Sequence, residues 1–417
     1  MTFFDRQKLQ EILLIERARL EEFKKLKLNL DMSRGKPSKA QLDLSNGLLD
    51  IVNSITYSID NFDCRNYGLL DGLPQAKKLF SSLCEVDESE IIISGNSSLN
   101  IMYDNLQRAM QFGVNGGISF NKQGKIKWLC PVPGYDRHFA ITELFGIEMI
   151  NIPMTKDGPD MDMVEQLVAS DESIKGIWCV PKFSNPQGIV YSDQTVTRFA
   201  KLQPKAKDFR IYWDNAYMVH SFSQDVELLN LLNEAKKFNN SDIVYMFGST
   251  SKISFAGGGI SYFIANKNNI ESIANLMSKQ TIGSNKLTQL AHVLYFKNTQ
   301  NIKNHMQKHA ELMRPKFKIV LESLQKELYD FATWIEPKGG YFVSVDLAEG
   351  TAKRTVELAR EAGVVFTGAG ATFPYRKDPN DSNLRIAPSF PPIEELNPAM
   401  DVFCCAAKIA FCEKHLA

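Results

Sequence analysis

At 417 residues the chain exceeds what one core usually organises and suits two domains. Lys+Arg and Asp+Glu both number 48, so no net basic field recruits nucleic acid or anionic lipid. Seven cysteines, odd in number and without metal-ligand spacing, argue against a disulfide framework and a metal site and for a reducing compartment. No apolar run approaches a membrane span and the N-terminus is charged, so the chain reads as cytoplasmic, with neither a membrane nor a nucleic-acid partner.

In chain order, Leu9, Ile12, Leu13, Ile15, Leu20 and Phe23 at helical spacing predict an amphipathic opening helix over residues 5–28. Gly35 and Pro37 predict an extended loop over 31–45. From about 46 to 295, helical stretches such as 73–83 and 98–111 alternate with seven apolar runs: EIIIS, KIKWLCPV, IEMINIPM, IKGIWCVPK, FRIYWDN, DIVYMFG and ISYFIAN. The fold class this implies is α/β, with a mostly parallel seven-stranded sheet sandwiched by helices. The last two runs lie too close for a crossover helix, so one strand there is expected to be antiparallel. A long charged helix over 301–329 leads to strand-like WIEPKGGYFVSVDL, a helix over 351–362, VVFTGAG, LRIAPSF and a final helix in which Cys404 and Cys405 read as small apolar packing residues. The expected organisation is a large cofactor-binding domain, 46–298, and a small α+β domain built from both termini, 1–45 together with 299–417.

Each strand end of the large domain carries suggestive chemistry. DIVYMFG runs into Ser249-Thr250-Ser251-Lys252 and then a glycine triplet, which sets an amine and several hydroxyls at a sheet's carboxyl edge, where open α/β sheets bind ligands. Such a lysine can hold an aldehyde cofactor, with pyridoxal phosphate the obvious candidate; taken alone, the stretch reads more simply as a strand-to-turn connection with a surface lysine. Gly95-Asn96-Ser97-Ser98 opens a helix whose free amides and hydroxyls suit a phosphate, or are simply an N-cap. Tyr135 could stack on a flat heterocycle, with His138 close by as the other candidate ring. Asn185, in an Asn-Pro-x-Gly turn, could reach a ring oxygen. Asp214, a carboxylate at a buried strand end, needs a cation, and a pyridinium nitrogen would serve.

Taken in order, GNSS, PGYDRH, NPQG, DNAY, STSK and the late LRIAPS resemble the fold type I aminotransferases of the aspartate aminotransferase superfamily, over nearly the whole chain. SRGKPSKAQLDLS and SKISFAGGG are similar to its divergent subgroup Ic. The resemblance implies a pyridoxal 5'-phosphate enzyme, most simply an aspartate:2-oxoglutarate aminotransferase with ping-pong kinetics, taking amino acid and 2-oxo acid substrates. It makes Lys252 the Schiff-base lysine and proton shuttle, and Asp214 the partner of the pyridine nitrogen. Asn185 and Tyr217 become the pair on the phenolic oxygen, and Tyr135 the stacked ring. Asn96, Ser97 and Ser249 match the phosphate cup, to which Ser98 and Ser251 of the same clusters belong. Tyr67 matches a tyrosine reaching the phosphate from a neighbouring subunit, which implies a homodimer. Arg385 matches the grip on the substrate α-carboxylate, beside Asn185, and Gly35 matches a glycine of the loop against the substrate. One position departs: the family usually has an arginine for the phosphate eight residues after the lysine, where this chain has Ile260. Hydroxyls and amides, with Gly257–Gly259 permitting close approach, or another cation would then hold the phosphate. Arg34, Arg137, Lys182 and Lys279 are candidates for a second substrate carboxylate; His220 and His292 read as structural. The same machinery also serves β-lyases and decarboxylases, and a non-catalytic sensor related to pyridoxal-phosphate regulators is the reading from another class.

Overall fold

The computed structural model describes residues 4–223 and 226–417. Its central sheet has eight strands: β1 (Ile91–Ser94), β2 (Lys127–Val132), β3 (Glu148–Thr155), β4 (Gly158–Pro159), β5 (Ile174–Cys179), β6 (Arg210–Asp214), β7 (Val244–Ser249) and β8 (Ser261–Ile264). Their spatial order is β1-β8-β7-β6-β5-β2-β3-β4. Strands β7, β6, β5, β2 and β3 run parallel. Strand β8 is antiparallel to both its neighbours, the reversal expected where no crossover helix fits between β7 and β8. The seven apolar runs are seven of these strands. The eighth, β4, pairs with the end of β3 through a tight turn; two residues without an apolar run leave no periodic signal in the sequence.

Side chains alternate across the central strands. Trp128, Trp178, Tyr212 and Phe247 face one helical layer, which includes Ser98–Phe112 and Asp136–Leu144. Leu129, Ile177, Ile211 and Met246 face the other, with Pro74–Cys84, Met161–Ser170 and Asp193–Ala200. Gly176 makes this packing possible: a Cβ there would stand 2.4 Å from the Trp128 ring.

The smaller α+β unit centres on an antiparallel sheet of β9 (Ala332–Trp334), β10 (Val343–Leu347) and β11 (Asn383–Ile386). Both termini build it. Leu9 and Leu20 of the helix Arg6–Lys25 share a core with Val343 and Val345 and with Phe403 and Ile409 of the helix Ile393–Leu416. A parallel pairing of Leu30–Asp31 with Val364–Val365 ties in the N-terminal segment. Cys404 and Cys405 are fully buried, free thiols in this packing. The helix Thr299–Leu328 joins the cores: Ile302 and Met306 pack with the large sheet, Met313, Phe317 and Val320 with the small one. Among the described residues no helix is long and apolar enough to cross a membrane.

Two expectations need correction. The opening helix stops at Lys25, not 28. The loop over 31–45 contains a short helix, Lys39–Asp43, because Ser38 and Gln41 form a capping box, with the Ser38 amide donating to Gln41 Oε1 at 3.0 Å. That reciprocal cap acts after Gly35 and Pro37, so the turn-forming residues govern only the first half of the segment.

Candidate active site

Asp214 ends β6 and is 3% exposed. His138 Nε2 donates to its Oδ2 at 3.1 Å, whereas its buried Oδ1 has no hydrogen-bond partner. A buried carboxylate oxygen without a donor is costly, so this edge is built to receive one. His138 is itself held, stacked on Trp178 with centroids 4.5 Å apart and edge-on to Tyr135 at 4.8 Å. The sequence offers His138 only as an alternative to Tyr135 for the stacked ring, not as a partner of Asp214; its place three residues after Tyr135, on one face of the same helical turn, is the available signal.

Lys252 follows β7. Its Nζ lies 5.0 Å from the Tyr217 ring centroid and 6.0 Å from that of Tyr341. Burial lowers its pKa, and the Asp214 carboxylate pulls the other way, so the amine is more readily neutral than a surface lysine. Burial, with Tyr135 and Asp214 adding to it, pushes the Tyr217 hydroxyl well up. The backbone behind Lys252 is fixed. His220 Nε2 reaches the Lys252 carbonyl at 3.2 Å. Thr250 exchanges two bonds with Ile260, its amide donating to the Ile260 carbonyl at 2.8 Å and its Oγ1 accepting the Ile260 amide at 2.9 Å. His292 accepts at Nε2 from Thr250 and Ser254, since its Nδ1 donates to the Thr288 carbonyl at 2.7 Å. Ile260 consequently turns into the core, 1% exposed.

Beside Lys252, Ser251 Oγ donates to the Asn96 carbonyl at 2.8 Å and accepts from Ser249 Oγ at 3.1 Å. Asn96 Nδ2 donates to the Ala256 carbonyl at 3.0 Å. Ser97 is the N-cap of the helix that begins at Ser98 but makes no side-chain cap bond, so first-turn amides remain for an anion. A Cβ on Gly259 would come within 2.6 Å of the Phe255 carbonyl, so that turn needs glycine.

The smaller unit supplies the opposite wall. Arg385 on β11 is 7% exposed, and its Nη1 donates to Asn185 Oδ1 and to Asp136 Oδ1, both at 3.0 Å. Its guanidinium lies over the Phe342 ring at 4.8 Å. Gly35 presses on the same ring: a Cβ there would fall 2.2 Å from Phe342 Cζ. Asp136, Tyr341 and Phe342 escaped the sequence reading, although Asp136 stands next to Tyr135 and the two aromatics follow a Gly-Gly turn.

Lys252, Asp214, Tyr217, Tyr135, Asn185 and Arg385 are linked through these contacts, with the Asn96, Ser249 and Ser251 cluster adjoining at Lys252. Tyr67 is not among them and is 78% exposed. Arg34, Arg137 and Lys279 are also exposed. Lys182 is buried, its ammonium on the Met218 carbonyl at 2.7 Å.

A family model described as aspartate amino-transferase matches residues 5–417. The chain belongs to this family. An aspartate aminotransferase of Corynebacterium glutamicum is 42% identical over 402 residues, 95% of this chain and 93% of that one. The crystal structure of an aspartate transaminase from the same species matches with a TM-score of 0.96 at 42% identity, covering 99% of this chain and 98% of the other. At 18% identity, where likeness shows only the fold, LysN of Thermus thermophilus matches with a TM-score of 0.76 over 95% of each chain. LysN is an alpha-aminoadipate aminotransferase, complexed there with N-(5'-phosphopyridoxyl)-L-leucine. As a member of the aspartate amino-transferase family, the chain is an aminotransferase of fold type I, a family whose enzymes work with pyridoxal phosphate. Its residues fit that group: an unpartnered buried carboxylate oxygen for a ring N–H, an amine whose pKa is lowered, and the uncapped first-turn amides of the helix that begins at Ser98 for a phosphate.

Proposed function

We propose that the chain transfers the amino group of aspartate to 2-oxoglutarate, with pyridoxal phosphate as cofactor. The observation that carries the cofactor assignment is the orphaned Oδ1 of Asp214, which a protonated ring nitrogen would satisfy. Aspartate as donor is supported by the 42% identity to the Corynebacterium glutamicum enzyme. Bound pyridoxal phosphate supplies an aldehyde that condenses with amines and a ring that draws electrons from the substrate Cα. The remaining work belongs to the chain. Lys252 holds the cofactor covalently between turnovers and, once released, carries the proton from Cα to the cofactor carbon; its lowered pKa suits both tasks. Asp214 holds the proton on the ring nitrogen and His138 holds Asp214. Asn185, whose Oδ1 is taken by Arg385, keeps its amide to donate to the phenolic oxygen alongside the Tyr217 hydroxyl. Tyr135 covers the ring. Asn96, Ser97, Ser98, Ser249 and Ser251 take the phosphate with amides and hydroxyls alone, since the position of the usual arginine is the buried Ile260. Arg385 takes the α-carboxylate, and Gly35 lets its loop close on Phe342.

The same reading places the boundary of the large unit at 46–298, with 1–45 and 299–417 forming the small one, and the enzyme in the cytoplasm. It makes the active unit a homodimer. Leu49, Ile55, Tyr67 and Ile282 are 69%, 85%, 78% and 62% exposed, apolar area that a second copy would cover. The backbone at Gly283 runs against the Gly68 carbonyl, which brings the Tyr67 and Ile282 segments together, and in this reading Tyr67 reaches the phosphate of the second copy.

Lys252→Ala is the test. The variant is expected to lose the visible absorbance of lysine-linked cofactor and at least about 10³ of the transfer rate, on the scale of removing a covalent catalyst. Transfer at the original rate would end the assignment.

A further inference from the structure

We propose that Asp136 is a counter-carboxylate, a positioning residue that acts through Arg385 and weakens its hold on a substrate carboxylate. The inference rests on the reading of Arg385 as the carboxylate-binding group. A guanidinium has five N–H donors. Two of those on Arg385, both on Nη1, are spent on Asp136 Oδ1 and Asn185 Oδ1 at 3.0 Å each. Its Nε is buried and has no partner, and Nη2 makes no hydrogen bond among the described residues. The free edge is therefore Nε–Nη2, one of the two edges on which a carboxylate docks with two parallel bonds. Phe342 against the guanidinium face fixes the plane in which that edge points.

Asn185 holds one N–H of Nη1 without adding charge. Asp136 adds something different, a negative charge on a side chain that is 34% exposed, while the Arg385 side chain it meets is 8% exposed. In the absence of substrate the pair keeps a buried cation neutralised. When a substrate carboxylate takes the free edge, two anions share one cation, and in a poorly solvated site their repulsion offsets part of the binding. The consequence is a site that binds its carboxylate more loosely than its donors allow, which favours release of the product acid and a higher KM.

Succinate, an unreactive dicarboxylate, is titrated calorimetrically into the purified holoenzyme, and KM for L-aspartate is measured alongside. Asp136→Asn removes the charge and keeps an acceptor for Nη1; it is expected to bind succinate about 3- to 10-fold tighter, with KM falling in parallel. A purely structural Asp136 would give weaker binding instead. Asp136→Ser is expected to move the same way and decides the matter should the asparagine variant not fold. Arg385→Gln separates the two layers of the argument. If it abolishes succinate binding while neutral Asp136 variants bind as the wild type or more weakly, the counter-carboxylate is wrong and the Arg385 reading stands. If Arg385→Gln binds succinate normally, the Arg385 reading itself falls, and this proposal with it.

Discussion

The Asp214 carboxylate illustrates how a single residue is divided between scaffold and chemistry: one oxygen belongs to His138, the other to whatever enters the site. Replacing that charge removes what keeps a ring nitrogen protonated while leaving the size of the side chain unchanged. Asp214→Asn is expected to lower kcat by on the order of 10²–10³ with a smaller effect on cofactor retention, measured by steady-state kinetics and cofactor titration; a loss under threefold would contradict the role. At this scale the sequence was most legible where chemistry restricts the residue type. An imine link to an aldehyde calls for a lysine and a ring nitrogen kept protonated calls for a carboxylate, so Lys252 and Asp214 stand out at the strand ends as candidates. His138, Asp136 and Phe342 were hidden because their importance comes from what they touch. A histidine on a buried helix face or a phenylalanine after Gly-Gly carries no mark of its partner 76 or 43 residues away, which only the fold brings near.

Among the elements, the long helix Thr299–Leu328 and the capped turn Lys39–Asp43 meet in a buried polar chain. Gln41 Nε2 donates to the Tyr341 hydroxyl at 2.9 Å and lies 3.3 Å from His309 Nδ1. His309 in turn lies 3.2 Å from His305, whose Nε2 reaches the Ile253 carbonyl at 2.9 Å, next to Lys252. The chain of contacts ties the segment carrying Gly35 to the backbone that carries the lysine. Burial lowers the pKa of His220 from 6.5 to about 3 and of His292 to about 4; burial, helped by His305, lowers His309 to about 3. An unfolded imidazole takes its proton near pH 6.5, so below that pH the unfolded chain binds more protons than the folded one. This contribution to stability is complete above pH 6.5 and is lost as the pH falls toward 3 to 4. His309→Gln removes one titrating group, and the slope of unfolding free energy against pH between about 4 and 6 is expected to flatten by up to one proton. Urea unfolding at a series of pH values checks this, and an unchanged slope would contradict it. The sequence revealed the strands and helices well, because period 2 and period 3.6 are local signals. It concealed β4 and the 39–43 helix, the one too short for periodicity, the other nucleated by a side-chain cap.

For the whole molecule, two packed units bring together residues from opposite ends of the chain: Gly35 and Arg385 from the small unit meet Asn185 and Asp136 from the large one around Phe342. The order of motifs made this assembly legible, because the loops from GNSS to STSK fall in turn at the carboxyl edge of one sheet, while LRIAPS lies on the small sheet that faces it. What the order could not disclose is how side chains pack between these loops, such as Ile260 turning into the core behind Lys252. The central claim is that this assembly removes an amino group from aspartate through Lys252. The most direct measurement adds L-aspartate, without any acceptor acid, to purified holoenzyme. The visible band of lysine-linked cofactor is expected to disappear as one 2-oxo acid forms per active site, and 2-oxoglutarate is expected to restore the band with formation of one glutamate. A band that persists, or that changes without release of the 2-oxo acid, would contradict the account.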